Sequence, residues 1–115
     1  DIPNILTDRN QLEQVILNIV NNGIDAMGDG PGRLSIRTFL EDNRINITIA
    51  DTGKGMEQEI IEKIFLPFFT TKEVGKGTGL GLSVSYGIVK SLGGKILIES
   101  TPGRGSTFTI VLPVN

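Results

Sequence analysis

The sequence predicts a two-layer α/β sandwich, with a largely antiparallel sheet covered by helices on one face. Two observations lead there. The elements read along the chain run helix, hairpin, short helix, irregular segment, helix, hairpin, not the strict strand–helix alternation that builds a parallel sheet. The clearest strand candidate sets Ile45, Ile47 and Ile49 alternating with polar residues, the two-residue period of a sheet with one buried face.

The elements follow in order. Asp8 with Gln11 three positions on reads as a helix cap and its capping-box partner. The helix that follows extends to Met27, with Leu12, Val15, Ile16, Ile19, Val20 and Met27 at helical spacing as its buried stripe. Gly28, Gly30, Pro31 and Gly32 end it. Strands are expected over 33–41 and 44–51, joined by a hairpin turn at Asp42-Asn43. A short helix over 57–64 leads into an irregular segment over 65–78, rich in glycine and lysine. A further helix over 80–92 stops at Gly93-Gly94, a C-cap signal. Strands over 95–100 and 106–113 flank a turn from Thr101 to Gly105.

Composition narrows the function classes. A chain of 115 residues suits one domain. With 38% hydrophobic and 21% charged residues it is expected to be globular, not disordered. No apolar run reaches the ~20 residues that cross a bilayer. A net charge of −2 without a basic run argues against a grip on nucleic acid. The chain has no cysteine and no histidine, which excludes disulfides, thiolate or imidazole metal sites and serine–histidine catalysis. The 15 glycines cluster, as close backbone approach to a ligand requires.

Five local patterns carry chemistry. On the first helix Gln14, Asn18, Asn21, Asn22 and Asp25 share a narrow polar stripe. Taken alone, a solvated face explains it equally well, but asparagine is a poor helix former and its side-chain oxygen suits a hard cation. Asp51-Thr52-Gly53-Lys54-Gly55 closes an apolar strand, where a carboxylate can accept from an exocyclic amine; alone, a β-turn is the plainer reading. Phe65-Leu66-Pro67-Phe68-Phe69 alone reads best as a buried anchor for a loop. Gly75-Lys76-Gly77-Thr78-Gly79-Leu80-Gly81-Leu82 places glycines at every second position before a helix, so that free amides and the positive helix end converge on one spot suited to phosphate. It lacks both the leading strand of a dinucleotide fingerprint and the Gly-Lys-Ser/Thr ending of a P-loop. Gly103-Arg104-Gly105-Ser106-Thr107-Phe108 alone is a hairpin turn.

In this order the five resemble the nucleotide-binding boxes of the histidine-kinase branch of the gyrase, heat-shock ATPase, histidine kinase and mismatch-repair superfamily. Asn18 to Ala26 resembles the asparagine box. Asp51 to Gly55 and Gly77 to Leu82 resemble the two glycine boxes, Phe65 to Lys72 the phenylalanine box, and Gly103 to Phe108 the last box. The resemblance spans nearly the whole chain. It implies a Bergerat-type fold with a mixed, mainly antiparallel sheet, and a site for ATP and Mg²⁺. It further implies that Asn22 coordinates the ion, Asp51 reads the adenine amine, and Gly53 and Gly55 line the ring. Asn18, Asp25, Met56, Ile64, Phe65, Ser106 and Thr107 would border the nucleotide, with Asn18 counted as catalytic beside Asn22, Lys72 and Lys76. The segment 65–78 would be a mobile lid, and Gly77, Thr78, Gly79, Leu80, Gly81 and Leu82 would hold phosphates. Asp25 stands where many relatives carry lysine, so Lys72 or Lys76 is expected to substitute at the γ-phosphate. Gly23 replaces a usual alanine, loosening the helix by up to ~1 kcal/mol.

The hydrolysing branches place a glutamate where this chain has Asn18, which cannot act as a base. The resemblance therefore implies kinase chemistry, with the acceptor histidine on a separate dimerisation domain and a response regulator downstream. The chain begins at Asp1 and is expected to be one ATP-binding domain of a longer kinase, cytoplasmic and monomeric by itself. The competing expectations are an ATPase-type conformational switch, a serine kinase of a sister branch, and a non-catalytic nucleotide-binding module.

Overall fold

A computed structural model describes residues 9–28, 31–66 and 81–113. The elements are α1 (Arg9–Met27), β1 (Leu34–Glu41), β2 (Arg44–Asp51), α2 (Gln58–Ile61), α3 (Gly81–Ser91), β3 (Lys95–Thr101) and β4 (Gly105–Pro113). The cap expected at Asp8 lies outside the described residues, as do 67–80.

The four strands form one sheet in the order β1-β2-β4-β3. Each pairing among the described residues is antiparallel, so the parallel component of a mixed sheet finds no counterpart among them. The register explains the alternation read in the sequence. Ile49 is paired with Ile36 and Phe108, Ile47 with Thr38 and Ile110, and Ile45 with Leu40 and Leu112. These rows share one face of the sheet, which is buried on β2 and β4 and exposed at Ile36, Thr38 and Leu40 of β1. Val15 and Ile19 of α1 and Val89 of α3 complete a core with the isoleucines of β2 and with Phe108, Ile110 and Leu112 of β4. Burial of such side chains contributes about 1.5–3 kcal/mol each, so the two central strands and the α1 stripe supply most of the folding drive.

Local chemistry sets the ends of the elements. Asp42 and Asn43 both adopt positive φ, 52° and 60°, as a two-residue type I′ hairpin demands. At the end of α3, Gly93 has φ +81°; its N–H donates to the Lys90 carbonyl, while the Gly94 N–H reaches back to Val89 (2.9 Å). This is a Schellman cap, and it turns the chain into β3. The short helix is four residues long instead of the expected eight. Beyond Ile61 its bonds tighten to three-residue turns, Lys63 N–H to Ile60 and Ile64 N–H to Ile61. No helix among the described residues is long and apolar enough to cross a membrane.

Gly23 sits inside α1 facing the sheet. A β-carbon there would lie 2.8 Å from Leu34 Cδ1 and 3.3 Å from Asp51 Cβ. The nearer atom is the end of a flexible, half-buried side chain that can rotate aside. Gly23→Ala is therefore expected to raise the melting temperature by a few degrees, reflecting about 1 kcal/mol of helix propensity. Thermal unfolding followed by circular dichroism checks this; a lowered midpoint would mean that Leu34 is locked in place.

Candidate functional site

The residues that follow β2 form a turn closed by its own last side chain. The Gly53 N–H donates to Asp51 Oδ1 (2.8 Å). The same turn is held on both sides by backbone. The Lys54 N–H donates to the Ala26 carbonyl at the end of α1 (3.0 Å), and the Gly103 N–H of the β3–β4 turn donates to the Lys54 carbonyl (2.7 Å).

Three glycines make this clamp possible. A β-carbon on Gly53 would come within 2.6 Å of the Ala26 backbone. On Gly55, which has φ +70°, it would run into the Thr101 carbonyl oxygen, and on Gly105, at φ +102°, into that of Asp51. Gly53 and Gly55 thus let backbone meet backbone, and Gly55 also lines the cavity beside the turn.

Beside this clamp lies a cavity of about 240 Å³. It is lined by Asn22 and Ala26 of α1, by Lys54 to Glu57, Ile60 and Ile64 of the segment after β2, and by Pro102 and Ser106 of the β3–β4 hairpin. Met56 is fixed by its N–H, which donates to Ser100 Oγ (2.8 Å), and the Ser100 and Ser106 hydroxyls lie 2.7 Å apart. Apolar walls with a few convergent polar groups suit a flat heteroaromatic ligand carrying polar substituents.

Of the residues singled out from the sequence, Asn22, Gly55, Met56, Ile64 and Ser106 line this cavity. Asp51 is 8% exposed and pairs across the sheet with Ser106, but it is not among the residues that line the cavity. Its Oδ1 is engaged by Gly53, while Oδ2 accepts no hydrogen bond among the described residues. A β-carbon placed on Gly23 would lie 3.4 Å from Oδ2, so the carboxylate sits against the α1 backbone at that position. Asn22 likewise makes no side-chain hydrogen bond among the described residues.

Asn18 differs sharply. Its Nδ2 donates to the Gly81 carbonyl (3.0 Å) and to Ser85 Oγ (3.1 Å), and its Oδ1 accepts from Gln14 Nε2 (2.8 Å). Asp25 is exposed and off the cavity wall, and Leu82 packs against the core. Thr107 points to the opposite face of the sheet from Ser106, as strand alternation requires. Phe65 stacks on Tyr86 of α3, with ring centroids 5.0 Å apart, which is the anchor its composition suggested. Lys72, Lys76, Gly77, Thr78, Gly79 and Leu80 lie outside the described residues.

The sequence reading missed Glu57, Ile60 and Pro102, and gave no individual role to Ala26 and Lys54, which lie within its boxes. Ile60 carried a usable signal, since it stands four residues before Ile64 and so shares its face.

Residues 7–115 match the family described as histidine kinase-, DNA gyrase B- and HSP90-like ATPase. The chain belongs to this ATPase family. Its relatives include the sensor kinase CckA of Brucella abortus strain 2308 (44% identical, over 98% of this chain and 13% of CckA). Sporulation kinase E of Bacillus subtilis strain 168 is 43% identical over 99% of this chain and 15% of its own length. The sensor histidine kinase ZraS of Escherichia coli K12 is 43% identical over 99% of this chain and 24% of its own. The chain thus spans less than a quarter of each relative. Among solved structures, a nucleotide-free catalytic domain of the histidine kinase ThkA superposes with a TM-score of 0.82 at 36% identity, covering 96% of this chain and 70% of that one. Full-length ShkA in complex with AMPPNP gives 0.87 at 28% identity, over 98% of this chain and 23% of that one. The family accounts for the nucleotide boxes read in the sequence, and its sensor-kinase members accord with the histidine-kinase branch.

Proposed function

We propose that this domain binds Mg·ATP in the cavity beside the Asp51 turn and donates the γ-phosphoryl group to a histidine on a separate dimerisation domain. The observation that carries this reading is the convergence on one cavity of Asn22, the Gly55 turn and Ser106, the cross-strand partner of the buried Asp51. Asp51 Oδ2 is an acceptor without a protein partner among the described residues, and an adenine amine would satisfy it. Met56, Ile60 and Ile64 would cover the faces of the ring.

The donor set fits Mg²⁺ carried in by the nucleotide. The amide oxygen of Asn22 is a hard ligand at the cavity wall, and no cluster of three acidic residues among the described ones offers a nucleotide-independent site. Bound there, the ion would neutralise charge on the phosphates. Lys72 or Lys76 would add positive charge at the γ-phosphate, and the glycines from Gly77 to Gly81 would offer amides. Asn18 cannot deprotonate water, so hydrolysis should be slow while transfer to a well-placed imidazole proceeds by positioning.

These 115 residues contain no histidine, so the acceptor would lie outside them. In the parent protein the phosphoryl group would pass on to a response regulator, and this domain would reside in the cytoplasm. Mixing the domain with its dimerisation domain and γ-labelled ATP is expected to label the partner's histidine and not this chain. Asn22→Ala should reduce that labelling by roughly two orders of magnitude, the loss expected when a transition-state charge stabiliser is removed. Labelling of neither protein, or rapid release of labelled phosphate to water, would sink the kinase reading.

A further inference from the structure

We infer that Asn18 and Ser85 form a latch that fixes the position of α3 against α1, which makes Ser85 a positioning residue for the phosphate end of the nucleotide site. The inference rests on the nucleotide reading above. Asn18 and Asn22 stand one turn apart on the same face of α1, yet their amides are used differently. Asn22 lines the cavity. Asn18 is turned into the joint between the helices, with both N–H groups spent on α3.

Ser85 is fully buried in α3, one turn before Val89, on a face otherwise built from Leu82, Ile88, Val89 and Leu92. A hydroxyl there carries a desolvation cost unless it is paired. It is paired twice: it donates to the Gly81 carbonyl (2.9 Å) and accepts from Asn18 Nδ2 (3.1 Å). The second N–H of Asn18 reaches the same Gly81 carbonyl (3.0 Å), closing a triangle at the first turn of α3. Gln14 holds the amide in this orientation by donating to Oδ1 (2.8 Å).

Adhesion alone does not require this arrangement. Replacing both partners of a buried hydrogen bond by apolar groups of similar shape is close to neutral for stability. What the polar triangle adds is direction, because its bonds are satisfied at one axial and rotational setting of α3, whereas methyl contacts tolerate several. That setting matters at the first turn of a helix, where the leading N–H groups have no intrahelical partner. Gly81 opens that turn, and Asn22 lies one turn of α1 further on. The latch thereby fixes the spacing between the Asn22 side chain and the amide end of α3, the two sides from which phosphates would be held.

The test separates phosphate binding from base binding. Mg·ATP affinity is measured by calorimetry, and adenosine affinity by competition, for wild type, Ser85→Ala, Asn18→Leu and the double variant. Each single variant is expected to weaken ATP about five- to tenfold, the value of a directed hydrogen bond, while adenosine affinity changes less than twofold. The double variant should be no worse than the weaker single, as for two halves of one interaction. Asn18 is half-exposed, so Asn18→Leu reports even where Ser85→Ala fails to fold. ATP affinity unchanged in the variants, or ATP and adenosine weakened in parallel, overturns the latch. A wild-type chain that binds no ATP overturns the nucleotide reading instead.

Discussion

Asp51→Asn is expected to cost the domain roughly 10- to 100-fold in ATP affinity while leaving its fold intact. The two carboxylate oxygens do separate work. Oδ1 accepts from the Gly53 N–H and shapes the turn (2.8 Å), and the amide oxygen of asparagine can take over that bond. Oδ2 is the atom without a protein partner among the described residues, in a side chain only 8% exposed. Asparagine places an NH₂ group there, so a donor would meet the donor of the adenine amine. Loss of a hydrogen bond to a charged acceptor amounts to about 1.5–3 kcal/mol, which sets the expected range. Calorimetric titration with Mg·ATP reads the affinity, and a thermal melt of the free protein shows whether the turn has survived. Asp51→Ala should differ by losing both affinity and stability, since it removes the Gly53 bond as well. An Asp51→Asn variant that binds ATP within threefold of wild type would reduce Asp51 to a turn-closing residue.

Much of the fold was legible because its signals are local. The alternation of Ile45, Ile47 and Ile49 follows from strand geometry, the Asp42-Asn43 hairpin from the tolerance of those residues for positive φ, and the end of α3 from Gly93-Gly94. The site was legible in part. Asn22, Gly55 and Ser106 could be assigned to it through the ordered boxes, and the structure brings them to one cavity. Illegible were the contacts that depend on which distant segment arrives. The partner of Asn18 is 67 residues away, and no spacing rule connects it to Ser85. Likewise the glycines of the Asp51 turn announce only that something approaches closely. That the something is the Ala26 and Thr101 backbone is a fact of tertiary packing. Thr107 shows the reverse case, because strand alternation already placed it on the opposite face from Ser106.

That close packing leads to the largest effect expected on stability, at Gly105. Two features forbid a side chain there. The backbone lies at φ +102°, a conformation that costs an L-residue about 1–3 kcal/mol, and the added β-carbon would collide with the Asp51 carbonyl oxygen. Neither can relax cheaply, because Gly105 opens β4 in register with Thr101 while Asp51 is the last residue of β2, paired with Ser106. Gly103 supplies the control. It shares the positive φ, +80°, but a β-carbon there meets nothing within 4 Å. Gly103→Ala should therefore show the conformational penalty alone, about 1 kcal/mol and a few degrees in melting temperature. Gly105→Ala should add the clash, for a total above about 3 kcal/mol, a fall of more than ~10 °C, or failure to fold in a domain whose whole margin is on the order of 5–15 kcal/mol. Equal shifts for the two variants would mean that β4 slides away from Asp51 at little cost. The clamp around the Asp51 turn would then be soft, and packing would not account for the glycines of that turn.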